Sequence, residues 1–485
     1  MNSLPFTRRA FLKSSTVAAG ASLAPRSWAR VAGANGDVRM AVVGLNGRGG
    51  AHIKVWGQTK GVRLVALCDI DTAVLERAAQ PLRSRGEAIQ SFRDLREMLA
   101  RPDIDAISIA TPHHQHALQA IWACQAGKDV YVEKPVSHNI WEGRQIVAAA
   151  GKFGRVVQAG TQSRSSVSLQ EAVAWVKAGN LGRITSVRGL CYKRRASIGL
   201  TSGPQPVPPT TDYNQWLGPA PHMPLRRRNF FYDWHWQWAT GNGDLGNQGC
   251  HQMDIARWFL GETGAPPRTL SIGGRLGYVD DGETANTQCV VHDYATAPLI
   301  FEVRGLPASA GSTKMDAFQG ASVGVVVTCA GGSVVVGDGS PRAYDSQGKL
   351  VREFKNAKAD PVVDHFQNFA DVVRSRRMAD LKCPIVDGHH SAVLCHQGNI
   401  SQRLGRSLPP EELRENIKGN APLAEAFGRM SEHLAANGVD LRRTPVALGL
   451  PLIFDPASER FVGNARANAW VSREYRAPFV VPQLA

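Results

Sequence analysis

The eight cysteines are nowhere spaced C-x-x-C, so the chain offers neither a thiolate zinc site nor a recognisable disulfide framework. Past the amino-terminal stretch there is no run of eighteen consecutive apolar residues, which argues against a membrane-spanning helix. Acidic residues are missing from the first 30 positions, where Arg8, Arg9, Lys13, Arg26 and Arg30 supply a third of the net charge of +15. The other cations are scattered and form no stripe interleaved with aromatics. That pattern fits small anionic ligands better than nucleic acid. What is present is ordinary for a soluble globular protein, with 43% apolar and 20% charged residues. At 485 residues the chain has room for two domains with well-formed cores.

Thr7-Arg8-Arg9-Ala10-Phe11-Leu12-Lys13 precedes a weakly apolar run rich in Ala and Ser, residues 14–24, that is too short to span a bilayer. Paired arginines followed by Phe-Leu-Lys read as a twin-arginine export signal, with small residues around positions 29–34 for cleavage. Residues 1–34 are therefore expected to be a signal, with the twin-arginine export machinery as a partner and a periplasmic or otherwise exported destination. This route carries proteins already folded, often with a cofactor inserted beforehand. A disordered basic amino terminus is the alternative.

Val38-Arg-Met-Ala-Val-Val43 reads as a buried strand, followed by Gly44-Leu-Asn46-Gly47-Arg48-Gly49-Gly50 and a helical stretch from His52. The loop is a variant of G-x-G-x-x-G in which Asn46 takes the second glycine's place and Gly47 and Gly49 supply the freedom. Such a turn lets pyrophosphate approach the free N–H groups of a helix N-terminus. A second apolar strand, residues 62–67, ends in Cys68-Asp69 at the spacing where an acid hydrogen-bonds the adenosine ribose. An acid there also repels a 2′-phosphate, favouring NAD over NADP. Asp71 is a second candidate, read more simply as a helix N-cap.

A third apolar strand, residues 104–110, leads into Thr111-Pro112-His113-His114-Gln115-His116. Three histidines in four residues suggest metal, but no acidic or cysteine partners stand nearby, so no metal is expected. A loop over the nicotinamide ribose is the better reading. Val130-Tyr-Val-Glu133-Lys134-Pro135 is then a strand that delivers a charged pair and is stopped by proline. Ligands of open α/β sheets lie beyond the carboxyl ends of the strands, so Lys134 is aimed at chemistry, with a surface lysine as the alternative. A helix over residues 140–153 and a strand over 155–158 close the domain near Gly160.

These motifs together resemble the glucose–fructose oxidoreductase / inositol dehydrogenase (Gfo/Idh/MocA) family. The residues that carry the resemblance are the glycine loop, Thr111-Pro112 with His116 four positions later, and Glu133-Lys134-Pro135. Gly243-Asp-Leu-Gly-Asn247-Gln-Gly249-Cys-His251-Gln-Met-Asp254 is similar to the family's D-x-G-x-H-x-x-D motif. Phe454-Asp455-Pro456 and Arg473-Glu-Tyr-Arg476 further resemble a twin-arginine-exported branch. The resemblance implies an α/β Rossmann domain (37–160) and then an α+β domain with a large open, mostly antiparallel sheet (161–410) that often forms an oligomer interface. A homo-oligomer is expected. Strands are expected near residues 185–192, 269–276, 287–292, 299–303, 324–329 and 332–336. Helices over 364–374 and 391–404 are expected on one side of that sheet. Residues 203–209 and 216–238 read as insertions, and 411–485 as an extended arm.

The resemblance places NAD against Gly44, Asn46, Gly47, Arg48, Gly49, Asp69, Thr111, His116, Glu133 and Lys134. It assigns catalysis to Lys134, His251 and Asn247. On a helical reading Asn247 and His251 share a face, with Asp254 three residues on. A histidine near its ordinary pKa accepts a proton from a substrate hydroxyl while the same carbon is oxidised, and Lys134 stabilises the developing alkoxide. A hydrogen-bonded core histidine is the alternative for His251. Family dehydrogenases commonly carry Asp where this chain has Asn247, and an amide cannot raise the histidine's basicity by charge. Arg164, Tyr192, Lys193, Arg195 and Asp254 are candidate substrate contacts, a strand-end surface patch being the alternative for the first four. Of Trp234, Trp236 and Trp238, one suits stacking on a sugar face and core packing suits the rest.

The expected activity is oxidation of a sugar, glycoside or polyol by tightly bound nicotinamide. An exported enzyme has no free NAD pool, so its cofactor must be recycled within each cycle. Coupled reduction of a second sugar, or a redox-neutral glycosidase, epimerase or lyase reaction, satisfies that need. A non-catalytic sugar- or nucleotide-sensing protein is the rival from another class.

Overall fold

A computed structural model describes residues 36–355 and 360–485. The expected export signal lies outside the described residues. Six parallel strands form the first sheet: β1 (Val38–Val43), β2 (Val62–Cys68), β3 (Gln90–Phe92), β4 (Ala106–Ile109), β5 (Asp129–Val132) and β6 (Val157–Ala159), in the order β3-β2-β1-β4-β5-β6. β1, β4, β5 and β6 are buried almost throughout, as strands covered on both faces must be. This is the doubly wound Rossmann order, and the chain reverses direction across the sheet between β1 and β4. Val43 and Ile109 are partners there, so the two loops that follow open side by side.

The second sheet runs β14-β13-β12-β11-β7-β10-β9-β8-β16-β15, with β17 pairing β8 and β18. Its strands are β7 (Ile184–Tyr192), β8 (Arg268–Gly274), β9 (Thr287–Asp293), β10 (Pro298–Arg304), β11 (Val323–Cys329), β12 (Gly332–Val336), β13 (Arg342–Asp345), β14 (Leu350–Glu353), β15 (Arg406–Leu408), β16 (Val446–Leu448), β17 (Leu452–Asp455) and β18 (Arg460–Phe461). Only β7 and β10 pair in parallel within it. Helices Val167–Lys177, Gly249–Leu260 and Ile385–Arg403 cover one face through Leu169, Val173, Met253, Phe259 and Leu394.

Two expectations change. Helix Pro361–Ser375 packs its Phe366 and Phe369 on the first sheet, with Trp56 and Tyr131, and not on the second. Residues 411–436 are not an extended arm. Pro410–Ile417 and Ala421–Ala436 are amphipathic helices whose Leu413, Ile417, Phe427 and Met430 bury the other face of the second sheet against Ile272, Val291 and Ile300. Beyond residue 470 the chain returns to the first domain, where Phe479 and Val481 join its core and the Leu484 N–H donates to Gln145 at 2.6 Å. Among the described residues no helix is long and apolar enough to cross a membrane.

Candidate active site

A cavity of about 920 Å³ opens at the carboxyl ends of β1, β2, β4 and β5 and is walled on its far side by residues of the second domain. The glycine turn forms its floor. Gly44 adopts φ +77°, and a Cβ there would lie 2.8 Å from the Thr111 methyl. Only glycine permits both that conformation and that approach of the two loops. Helix Arg48–Trp56 starts four residues earlier than expected, so Arg48 and Gly49 sit in its first turn. A Cβ on Gly49 would stand 1.8 Å from the Gly44 carbonyl oxygen, so Gly49 lets the helix seat on the turn. Asn46, Gly47 and Arg48 are exposed to the cavity at this helix N-terminus, where unpaired N–H groups favour an anion. The residues therefore fit a dinucleotide's pyrophosphate.

Asp69 lines the same cavity and accepts the N–H of Leu45 at 2.8 Å and of Asp71 at 3.0 Å. Burial pushes its carboxyl up to about 6, against those two donors. A carboxylate has about four acceptor positions, so two remain for ribose hydroxyls. Asp71 has none left. It caps helix Thr72–Ser84 through Ala73 and Val74 and also accepts the hydroxyls of Thr210 and Thr211.

Glu133 sits beneath the floor. It accepts Arg48 Nε at 2.7 Å, His52 Nε2 at 3.0 Å and Gln162 Nε2 at 3.3 Å. Burial pushes its carboxyl up, but Arg48 and His52 outweigh this and hold it well below the usual carboxylate range. The charge therefore anchors the helix N-terminus to the end of β5. His116 is buried, with its ring nitrogens 2.7 Å from the carbonyl oxygens of Thr111 and Pro135. It ties the loop after β4 to the loop that carries Lys134. Burial pushes its pKa down against those two carbonyls.

Lys134 reaches across to the other domain and donates to the Asn247 backbone carbonyl. That carbonyl is available because helix Gly243–Asn247 ends there and the His251 N–H turns to Gln248 O at 3.2 Å. The expected single helix through Asn247 and His251 is thus two helices joined at Gln248, yet both side chains line the cavity beside Lys134. Burial lowers the Lys134 pKa, opposed by Glu133. His251 is not near its ordinary pKa as expected: burial, reinforced by the Lys134 charge, pushes it down to about 3. The pair sets the Lys134 side-chain nitrogen, a hydrogen-bond donor, beside an imidazole that is neutral at neutral pH.

Of the expected substrate contacts only Lys193 lines the cavity, donating to Gln248 at 3.2 Å. Arg164 and Asp254 instead pair with each other at 2.8 and 2.9 Å in the core, with Ser391 completing the carboxylate. Tyr192 is buried in the second sheet and donates to Glu302 at 2.7 Å. Arg195 forks onto Asp244 at 2.7 Å through both nitrogens and donates to the Tyr232 hydroxyl at 2.9 Å. It supports a wall residue without reaching the cavity. Trp234 lines the wall stacked on His235, Trp236 is buried beneath Arg195, and Trp238 lies under Arg403.

Residues 229–235 add wall positions that sequence reasoning did not single out, chiefly Phe231, Tyr232 and His235, together with His113 from the loop after β4. His235 holds the Tyr232 carbonyl 2.6 Å from Nδ1. The aromatic density of 216–238 was visible, but nothing in its spacing says which rings face inward. Among the described residues no group of three or more His, Cys, Asp or Glu side chains is arranged to hold a metal ion.

Residues 38–161 match the sequence model of an oxidoreductase family with an NAD-binding Rossmann fold, GFO_IDH_MocA, and residues 174–294 match that family's C-terminal alpha/beta domain. The chain belongs to the Gfo/Idh/MocA oxidoreductase family. It is 30% identical over 220 residues to levoglucosan dehydrogenase of Pseudarthrobacter phenanthrenivorans, covering 43% of this chain and 49% of that protein. It is 36% identical over 118 residues to a glycosyl hydrolase family 109 protein of Shewanella baltica, covering 23% of this chain and 26% of that protein. The match thus spans about half of the first relative and a quarter of the second. The WlbA dehydrogenase of Bordetella pertussis, solved with NADH and UDP-GlcNAcA, shares the fold at TM-score 0.55 and 20% identity, over 76% of this chain and 97% of that one. Aldose-aldose oxidoreductase of Caulobacter crescentus does so at TM-score 0.56 and 17% identity, over 73% and 94%.

Proposed function

We propose that this Gfo/Idh/MocA protein oxidises a carbinol of a sugar, glycoside or polyol, using a bound nicotinamide dinucleotide and the pair Lys134 and His251. The observation that carries the reading is that both side chains face the cavity that holds the glycine turn and Asp69. A bound nicotinamide supplies a two-electron oxidant for the carbinol carbon. His251, neutral and without a hydrogen-bond partner for its ring among the described residues, takes the hydroxyl proton. Lys134 donates to the oxygen as negative charge develops on it. Asn247 and Lys193 offer hydrogen bonds to neighbouring hydroxyls, and the exposed faces of Phe231 and Tyr232 suit a sugar ring. Asp69 favours NAD over NADP. The relatives named for levoglucosan and for family 109 glycosides point to the same substrate class.

An export signal in residues 1–34 would put this chemistry in the periplasm, where the cofactor must be regenerated on the enzyme. That requirement, with Asn247 in the position of an aspartate, favours a second reading: transient oxidation acidifies the adjacent C–H, elimination or epimerisation follows, and the cofactor is restored. The test is to screen sugars and glycosides by chromatography with added NAD, then compare the wild type with His251→Ala and Lys134→Ala. Turnover lost in both variants while NAD still binds supports the reading. Turnover unchanged in both would sink it.

A further inference from the structure

The loops that bound the nucleotide groove are joined by a segment of the second domain. Residues 210–212 lie on the loop after β2: Thr72 N–H donates to Thr210 O at 3.0 Å, Asp212 N–H to Ile70 O at 3.3 Å, and Thr210 and Thr211 give their hydroxyls to Asp71. Residues 215–216 lie on the loop after β4: the Gln115 amide donates to Gln215 O at 2.8 Å and Trp216 O at 2.7 Å, and His114 Nε2 is 2.9 Å from Trp216 O. In the sheet order β2-β1-β4 the glycine turn of β1 stands between these two loops. A segment fixed at both sides therefore crosses the groove beside that turn, and its Gln215 and Trp216 line the cavity.

The carboxy-terminal tail fastens this segment from outside. Arg476 donates to Asn214 Oδ1 at 2.6 Å, to Asn214 O at 2.5 Å and to Ala220 O at 3.0 Å. Its guanidinium also lies 4.8 Å from the ring centre of Phe479, which is packed into the first domain's core and lines the cavity. Gly218 adopts φ +49° and passes so close to Gln115 that a Cβ would lie 2.6 Å from its amide. Threonine hydroxyls, a glutamine, a histidine and an arginine all serve to hold one stretch of backbone down.

We propose that residues 210–220, latched by Arg476, form a strap over the dinucleotide groove, so that the dinucleotide is a resident group that leaves only when the strap lifts. The proposal rests on the reading of this groove as a dinucleotide site. Whether the strap exists as a barrier is nevertheless independent of which sugar is turned over. Arg476→Ala removes three hydrogen bonds of the latch. Thr211→Val removes one hydroxyl at nearly constant volume and leaves the tail intact.

The experiment loads purified protein with isotopically labelled NAD, chases with excess unlabelled NAD, and follows retained label by mass spectrometry. Wild type is expected to keep its label through gel filtration. Arg476→Ala should exchange at least about tenfold faster, and Thr211→Val by a smaller factor, with each apoprotein still folded at the assay temperature by thermal unfolding. Wild type that exchanges within the mixing time, or folded variants that exchange at the wild-type rate, would overturn the strap. Failure of the wild type to bind NAD at all would overturn the cofactor reading, and the strap with it.

Discussion

Lys134, at the end of β5 in the first domain, donates its ammonium group to the backbone carbonyl of Asn247 in the second. The bond fixes the lysine beside His251 and sets the position of the second domain's helix break relative to the glycine turn. An amine held in this way is pre-positioned for a substrate oxygen and need not be ordered on binding.

His251→Ala should lower turnover by roughly 10²–10⁴-fold, the usual contribution of a positioned acid–base group. NAD binding should be retained, because among the described residues the ring shares no hydrogen bond with the glycine turn or Asp69. Parallel measurement of kcat and of NAD affinity by fluorescence titration checks this. A variant that loses both equally would move His251 into the cofactor site.

Gly49→Ala should abolish nucleotide binding more than it harms folding. Its Cβ would meet the Gly44 carbonyl oxygen at 1.8 Å, so the helix must back away from the turn that presents its N–H groups. A fall in NAD affinity of at least about tenfold is expected for the loss of even one such hydrogen bond to a charged group.

Asp254→Ala tests whether Asp254 is a core ion-pair partner of Arg164 or a substrate contact. It leaves Arg164 with only Asp387, at 3.7 Å, as an ionic partner, which should cost up to about 3–5 kcal/mol of stability. The urea midpoint should fall accordingly. If the variant folds with unchanged stability and only its KM rises, Asp254 touches substrate after all.

Acid should destabilise the fold well above the ordinary carboxylate range. Burial holds His114, His235, His251, His292 and His396 at about 3, and His365 and His390 at about 4, against 6.5 for an unperturbed histidine. Above pH 6.5 these rings are neutral in both states. As pH falls below it, the unfolded chain takes up protons that the folded chain refuses, so stability is lost towards pH 3–4. Each ring contributes up to about 1.4 kcal/mol per pH unit. Asp69, held at about 6, and Glu142 and Asp233, also raised by burial, act in the opposite sense but are fewer than these histidines. Urea midpoints between pH 7 and 4.5 should drop steeply, and a flat profile would mean that these histidines are hydrated.

The first domain was legible because its signals are local. β1 and its glycine turn, Asp69 and Glu133-Lys134-Pro135 each announce themselves within a few residues, and parallel strands read as apolar runs. Arg164 and Asp254 show the limit. An arginine and an acid 90 residues apart look alike whether each awaits a ligand or they await each other, and only the folded distance of 2.8 Å decides it. The helices over 410–436 are hidden for another reason: a proline in the first turn is a weak signal of a helix start, and their apolar faces make sense only against the far side of the second sheet. Nor does any spacing mark Thr210, Thr211 and Arg476 as parts of one device.

The most direct test of the account follows the near-ultraviolet absorbance of nicotinamide in purified, nucleotide-loaded protein as sugars and glycosides are added without external NAD. The account predicts that at least one compound either raises the absorbance in proportion to bound nucleotide or is converted to an isomer or a released aglycone with no net rise. His251→Ala should suppress either response. A loaded wild-type protein that binds a sugar yet gives neither signal would contradict catalysis and leave a sensing protein on a dehydrogenase fold.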